Sequence, residues 1–382
     1  MKLARSLRRA GLLFVAAVTA ATAGYAQSIE TPARQALMVD YETGAVMLEK
    51  NSDEPMHPAS MSKLMTLYMV FERLKKKTLS LDDTFLVSEK AWRMGGSKMF
   101  VDINSRVKIN DLLHGIIIQS GNDACIVVAE GLSGSEAAFA DEMTRRGREL
   151  GLTNSVFKNS TGWPDPEHKM SARDIALLSK RIIEEFPEYY KFFSATTYTY
   201  NKIRQGNRNP LLYGTTGADG LKTGHTEESG YGLAASVVRD GRRIILVVNG
   251  LTSMKERAQE TARLVDWGFS AFRNYALFKS GTTLDTAPVW LGKDATVPLV
   301  IDRDVTITLS RKARSDLKAK IVYDSAIPAP ISKGTPVARL VITAPDLTTL
   351  ELPLSAGADV ERLGMFGRMG AAVRHLFWGA SG

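Results

Sequence analysis

Leu233-Ala234-Ala235-Ser236-Val237-Val238-Arg239-Asp240-Gly241-Arg242-Arg243-Ile244-Ile245-Leu246-Val247-Val248 consists of two apolar runs separated by a short polar break. An Asp-Gly pair accepts the backbone that a tight hairpin turn needs, so the stretch predicts two antiparallel strands joined at Asp240-Gly241. Runs apolar at nearly every position suit strands covered on both faces, so these two belong in the middle of a sheet. Another hairpin signal stands near the other end of the chain. Ala36-Leu37-Met38-Val39 turns at Tyr41-Glu42-Thr43-Gly44 and resumes at Ala45-Val46-Met47-Leu48. Between the two hairpins the pattern is helical. Pro58 opens a segment from Ala59 to Lys75 with apolar residues on most sides, and buried helices are expected over Asn110–Ser120 and Asn122–Leu132. Glu136 to Leu150 reads as a more solvated helix stopped by Gly151, and Met254 to Asn274 as a helix after the second hairpin. Sheet at both ends with helices between them describes an α/β (α+β) unit with a helical insertion.

Beyond Gly281 the pattern changes. Val305-Thr306-Ile307-Thr308-Leu309 alternates, Lys318–Tyr323 and Val337–Thr343 are strand-like, and Pro328, Pro330, Gly334 and Pro345 punctuate them, which predicts a small all-β domain at 281–356. It offers no cluster of catalytic residue types and reads as a support module. In the last stretch, 357–382, Leu363, Phe366, Met369, Val373, Leu376 and Phe377 recur at helical steps, with Arg368, Arg374 and His375 on another side. Such a helix is expected to lie on a membrane surface, the alternative being a helix docked on the protein itself; its glycines and arginines leave it too broken to span.

The first residues read as a secretion signal. Lys2, Arg5, Arg8 and Arg9 precede an apolar run from Leu12 to Ala21, and Gly24-Tyr25-Ala26 offers a cleavage site; an uncleaved anchor is the alternative. The bulk of the chain, 27–382, is then exported. Its 382 residues carry a formal charge of +8, and loss of residues 1–26 would halve that surplus to +4, which weakens any case for nucleic-acid binding. The one cysteine, Cys125, rules out an internal disulfide. His57, His114, His168, His225 and His375 show no metal-ligand spacing, so neither a metal nor another cofactor is expected.

Chemistry enters at Ser60-Met61-Ser62-Lys63, at the start of the expected buried helix. Side chains three residues apart share a helix face, so Lys63 can reach the Ser60 hydroxyl. A serine becomes a nucleophile when a base takes its proton, and a lysine can be that base if burial and neighbouring cations lower its pKa. The helix N-terminus adds N–H groups where an oxyanion would form. Taken alone the motif is weak, since Ser105/Lys108, Ser155/Lys158 and Ser315/Lys318 repeat the spacing. Ser60 is distinguished by two partner motifs, Ser120-Gly121-Asn122 between two apolar helices and Lys222-Thr223-Gly224 leading into the sheet.

With these three motifs in order, the chain resembles the penicillin-binding and serine β-lactamase superfamily. Ser-Gly-Asn, Lys-Thr-Gly-His-Thr, Asp40-Tyr41-Glu42-Thr43-Gly44, Trp267-Gly268-Phe269, a following β domain and an amphipathic tail look most like the low-molecular-mass D-alanyl-D-alanine carboxypeptidases, from about residue 30 to the end. The resemblance implies a serine β-lactamase/transpeptidase-like catalytic domain over 27–280. It implies Ser60 as the acylated nucleophile, Lys63 as its base, Ser120 as proton relay and Asn122 as a holder of Lys63 and of the substrate amide. Lys222 and Thr223 would recognise the terminal carboxylate, with Lys222 keeping Lys63 neutral. The backbone N–H groups of Ser60 and His225 would form the oxyanion hole, Gly224 permitting close approach. Arg257 is a further candidate carboxylate contact, or else a solvated arginine among Lys255 and Glu256. Cys125 reads as a buried helix cysteine, and His168 follows a turn-rich loop, Gly162–Glu167, that could border the cleft.

The implied reaction is removal of the terminal D-alanine from a peptidoglycan stem pentapeptide, with β-lactams as acylating inhibitors and the enzyme held in the periplasm on the outer face of the inner membrane. A D,D-endopeptidase, a transpeptidase and a non-catalytic wall-binding protein share the motifs. A β-lactamase fits less well, because Glu149-Leu150-Gly151-Leu152-Thr153-Asn154 has the wrong spacing for the deacylating glutamate motif.

Overall fold

Five antiparallel strands form the sheet that the two hairpins announce: β1 (Gln35–Asp40), β2 (Val46–Lys50), β3 (Ala218–Thr226), β4 (Gly230–Arg239) and β5 (Arg242–Leu251), in the order β2-β1-β5-β4-β3. The computed structural model describes residues 29–323, 326–367 and 369, with the backbone of residues 4 and 5. Arg242 pairs with Arg239, which leaves Asp240 and Gly241 as the turn, both at positive φ (50° and 77°). On its other edge β5 sets Val247 opposite Leu37 of β1, so the first hairpin closes against the Asp240-Gly241 hairpin. Ile245, Leu246, Val247 and Val248 are completely buried, the mark of a central strand covered on both faces.

Six longer helices accompany this sheet: α1 (Lys63–Lys75), α2 (Ile109–Ile117), α3 (Asn122–Ser133), α4 (Glu136–Glu149), α5 (Ala172–Glu185) and α6 (Met254–Ala271). In α1 Leu64, Met65, Leu67, Tyr68, Val70 and Phe71 are all buried. At about 1.5–3 kcal/mol for each large apolar side chain, α1 is the axis of the core. Ser135 and Ser171 cap α4 and α5, accepting hydrogen bonds from the N–H groups of Ala138 and Asp174. α5, which packs against the sheet, was not singled out in the sequence, although the Ser171 cap and the spacing of Ile175, Leu178 and Ile182 mark it. α6 approaches the sheet closely through Gly268, where a Cβ would come within 2.5 Å of the Met38 sulfur.

The chain divides between Ser270 and Ala271. α6 ends at Ala271, and the residues up to Asn274, expected to continue it, instead enter β6 (Phe272–Phe278). The second unit adds β7 (Thr283–Trp290), β8 (Thr296–Val300), β9 (Val305–Ser310), β10 (Lys318–Val322), β11 (Pro336–Ala344) and β12 (Leu347–Ala356). β6 pairs with β9, while β10-β11-β12-β8-β7 run side by side. Leu299, Ile307, Leu309, Leu340, Ile342 and Leu354 form its own core.

The expected terminal helix begins late. Val360 and Arg362 bridge to Ile331 and Gly292, and helical backbone starts only at Met365. Met365, Phe366 and Met369 are exposed. The rest of the expected tail, and the expected signal segment apart from the backbone of residues 4 and 5, lie outside the described residues. Among the described residues no helix is long and apolar enough to cross a membrane.

Candidate active site

Ser60 lies in a 3-10 turn, Ala59–Ser62, that delivers the chain into α1. Ala59, just before it, is held at φ +48°, a left-handed conformation uncommon for a residue with a Cβ and found where the surroundings enforce it. Those surroundings are two glycines. A Cβ on Gly224 of β3 would stand 2.8 Å from the Pro58 carbonyl oxygen, and one on Gly162 would stand 2.0 Å from that of Ala59. The serine turn is thus gripped between the edge strand and the 159–163 loop, and Gly162, at φ +75°, also needs glycine for its backbone.

Lys63, the first residue of α1, is completely buried. Its Nζ donates to Ser60 Oγ (2.8 Å), Asn122 Oδ1 (2.8 Å) and the Thr161 carbonyl (2.5 Å). All three hydrogen-bonding directions of the amine are therefore fixed. Burial, and then the charge of Arg208, push its pKa down to about 8, against opposing contributions from Cys125, Asp123 and Glu136. An amine near that value exchanges protons at neutral pH, as a base for a serine hydroxyl must.

Asn122 opens α3, and its Nδ2 donates to the Gly95 carbonyl at 2.9 Å. The next residue, Asp123, is fully buried and accepts the backbone N–H groups of Met99 and Phe100, each at 2.9 Å. Together they lock the 95–101 segment against the start of the helix. Ser120 sits at φ +63°, which ends the helical run before the position expected from the sequence; its buried Oγ has no hydrogen-bond partner among the described residues. A strained serine with a free hydroxyl is poised to act on something else.

On β3, Lys222 is 1% exposed and among the described residues bonds only the neighbouring Thr223 carbonyl, at 3.3 Å, while Thr223 itself is buried. Burial, Lys63, Arg208 and Arg257 push the Lys222 pKa well below the ordinary lysine range. Lys63 and Lys222 are thus two like charges buried within reach of each other, and Arg208 bears on both. Arg257 is 6% exposed, far from the solvated arginine that its charged neighbours allowed. Its guanidinium lies over the Tyr231 ring (5.7 Å to the centroid), and burial lowers its pKa to about 10. His225, at the exposed end of β3, stacks on Tyr231 with ring centroids 3.8 Å apart.

Arg208 escaped sequence reasoning. It comes from a polar loop without a motif, yet its Nη1 donates to Ser97 Oγ at 2.5 Å and its charge reaches both lysines. Among the described residues Lys222, Arg208 and Arg257 have no carboxylate partner, so together they make an anion site. Cys125 is a buried helix cysteine whose thiol burial raises to about 12. His168 is buried too, lowered to about 4 by burial; it accepts the Lys158 N–H through Nδ1 and packs edge-on against Phe157. The other three serines of the spacing are structural: Ser155 donates to buried Asp174 (2.7 Å), Ser105 to the Asp102 carbonyl and Ser315 to the Lys312 carbonyl.

A serine bonded to a buried lysine of lowered pKa, beside a group of basic side chains, is what an acylating serine hydrolase requires. Residues 19–253 match the peptidase S11 family, described as D-alanyl-D-alanine carboxypeptidase, and residues 272–362 match the C-terminal domain of penicillin-binding protein 5. D-alanyl-D-alanine carboxypeptidase DacC of Escherichia coli strain K12 is 37% identical over 94% of this chain and 92% of its own length. The crystal structure of penicillin-binding protein 5 from Haemophilus influenzae superposes with TM-score 0.77 at 35% identity, covering 88% of this chain and all of that one. Penicillin-binding protein D2 from Listeria monocytogenes, solved with ampicillin bound, gives TM-score 0.58 at 29% identity over 63% of this chain and 99% of its own. The chain belongs to the peptidase S11 family of D-alanyl-D-alanine carboxypeptidases, serine hydrolases with an α/β catalytic domain and an all-β C-terminal domain.

Proposed function

We propose that this chain removes the terminal D-alanine from peptidoglycan stem pentapeptides through an acyl-enzyme on Ser60. The observation that carries the reading is the Lys63 amine, bonded at once to Ser60 Oγ and Asn122 Oδ1 in a fully buried position. The substrate's terminal carboxylate enters the anion site of Lys222, Thr223 and Arg257. Its negative charge favours the protonated form of Lys222, so of two coupled amines Lys63 is the one left neutral and basic. Ser60 Oγ attacks the amide carbonyl between the two D-alanines, and its proton passes to Lys63 Nζ. The Ser60 and His225 N–H groups receive the developing oxyanion. As the C–N bond breaks, Ser120 hands its proton to the leaving D-alanine amine and takes in its place the proton held by Lys63, which is left neutral. Water then attacks the ester, giving a proton to neutral Lys63, which passes it to Ser60 Oγ as the ester C–O bond breaks. A β-lactam presents its strained amide and carboxylate to the same two places and acylates Ser60.

We also propose that residues 1–26 direct export to the periplasm and that the tail rests on the outer face of the inner membrane. Exposed Met365, Phe366 and Met369 support the second point, since three large apolar side chains in so short a stretch favour an apolar surface.

The test is D-alanine release from a stem pentapeptide, with intact mass after penicillin treatment. Release and a penicillin adduct, both lost in Ser60→Ala, are the expected results. An adduct without release would move the assignment to crosslink cleavage or unproductive wall binding, and an adduct surviving in Ser60→Ala would overturn the mechanism.

A further inference from the structure

Trp163 is 46% exposed although its backbone is among the most firmly held in the loops. Asn159 Oδ1 accepts the N–H groups of Thr161 (3.2 Å), Gly162 (2.8 Å) and Trp163 (3.0 Å), and Asn159 Nδ2 returns a hydrogen bond to the Trp163 carbonyl (3.0 Å). Two residues before it, the Thr161 carbonyl holds Lys63. The indole thus has a fixed base beside the reacting groups. Its edge lies along Gly95 and Gly96. A Cβ on Gly96 would stand 3.0 Å from the indole and 2.9 Å from Asn122 Nδ2, and one on Gly95 would stand 3.6 Å from the indole. Two adjacent glycines leave this strip of backbone uncovered between an exposed aromatic ring and Asn122. Large aromatic surface kept out of the core and held rigid is the kind that binding sites use, because little conformational freedom is lost on contact.

The same segment divides the site by charge. Gly95 and Gly96 face Trp163, whereas Ser97 accepts from Arg208, which belongs with Lys222 and Arg257. A substrate that places its terminal carboxylate on the cationic half leaves the part before the scissile amide for the uncharged half. In a stem peptide that part is a D-alanine preceded by a diamino acid, whose methylene chain suits an indole face. We propose that Trp163 is the wall of an acyl-side subsite and sets the preference for a stem peptide over a bare D-alanyl-D-alanine.

The inference rests on Ser60 being the nucleophile, and the experiment separates the two. Full-length wild type and Trp163→Ala are assayed for D-alanine release from an N-acetylated stem pentapeptide and from N-acetyl-D-alanyl-D-alanine, with penicillin adduct mass as a control on Ser60. W163A is expected to raise the pentapeptide KM about tenfold, with kcat and the short-peptide KM changed by less than about twofold, and to retain the adduct. Equal losses on both substrates, or no loss on either, would overturn the subsite. Should W163A not fold, Trp163→Leu, which keeps apolar bulk over the glycines without the flat face, is judged by the same ratio. An adduct that persists in Ser60→Ala would instead remove the nucleophile on which the inference stands.

Discussion

Lys63 is one side chain on which three unrelated stretches of chain converge, since Ser60, Asn122 and Thr161 all meet its amine. With its pKa near 8, the acylation rate should climb with pH and level off above about 8, because only the unprotonated amine accepts the serine proton. Below that value the rate should fall about tenfold per pH unit, read as the rate of penicillin adduct formation under single-turnover conditions. The structural serines should behave otherwise. Ser105→Ala and Ser315→Ala should acylate normally, whereas Ser155→Ala should acylate but lose about 1–2 kcal/mol of stability, because the Asp174 carboxylate loses one of its hydrogen bonds and keeps that from the Asn154 N–H. Asp40 makes a similar point away from the site. It is fully buried, pairs with Arg242 at 2.8 Å and accepts the N–H groups of Glu42 and Thr43, fixing the first hairpin to the β4–β5 hairpin. Asp40→Asn should lower the stability of the catalytic unit by about 3 kcal/mol, measured by calorimetry, since it takes the negative charge out of a buried ion pair.

The 3-10 turn, the edge strand β3 and the 159–163 loop act together at the scale of elements. None holds Ser60 alone. Gly224→Ala would drive a Cβ to 2.8 Å from the Pro58 carbonyl and push strand and turn apart. A displacement of about 1 Å at a nucleophile can cost on the order of a hundredfold in rate, so the variant should fold and acylate about that much more slowly, in stopped-flow measurements with a chromogenic cephalosporin. Much at this scale was legible in the sequence. The Asp240-Gly241 turn, the central pair β4 and β5 and the buried α1 all follow from local chemistry and periodicity. Where the reading slipped, a neighbour had intervened: Ser120 takes up a left-handed backbone and cuts short the helical run before it, and Phe272–Asn274 leave a helical pattern for a strand because β9 offers them partners.

Over the whole molecule, two units with separate cores meet at Ser270 and Ala271, and every residue of the candidate site lies in the first. A fragment of residues 29–270 should therefore fold and take up penicillin at a rate within about twofold of the full chain, as judged by intact mass over time. Truncation after Gly364, which spares the Val360 and Arg362 bridges, should release the processed protein from membrane pellets without loss of activity. The sequence by itself marked out the candidate nucleophile, its lysine and the Ser-Gly-Asn and Lys-Thr-Gly partners, because each motif is local and its residue types are chemically demanding. It also determined the β4–β5 pair at the centre of the sheet, through a turn that only certain residues can make. What only the tertiary structure decided is the electrostatics and the walls: that Arg208, from a loop without a pattern, charges the site, that Arg257 is buried rather than solvated, and that Trp163 stands over Gly95 and Gly96. Those properties depend on distances between segments remote in the chain, and burial, which sets the pKa of Lys63, exists only once they have packed together.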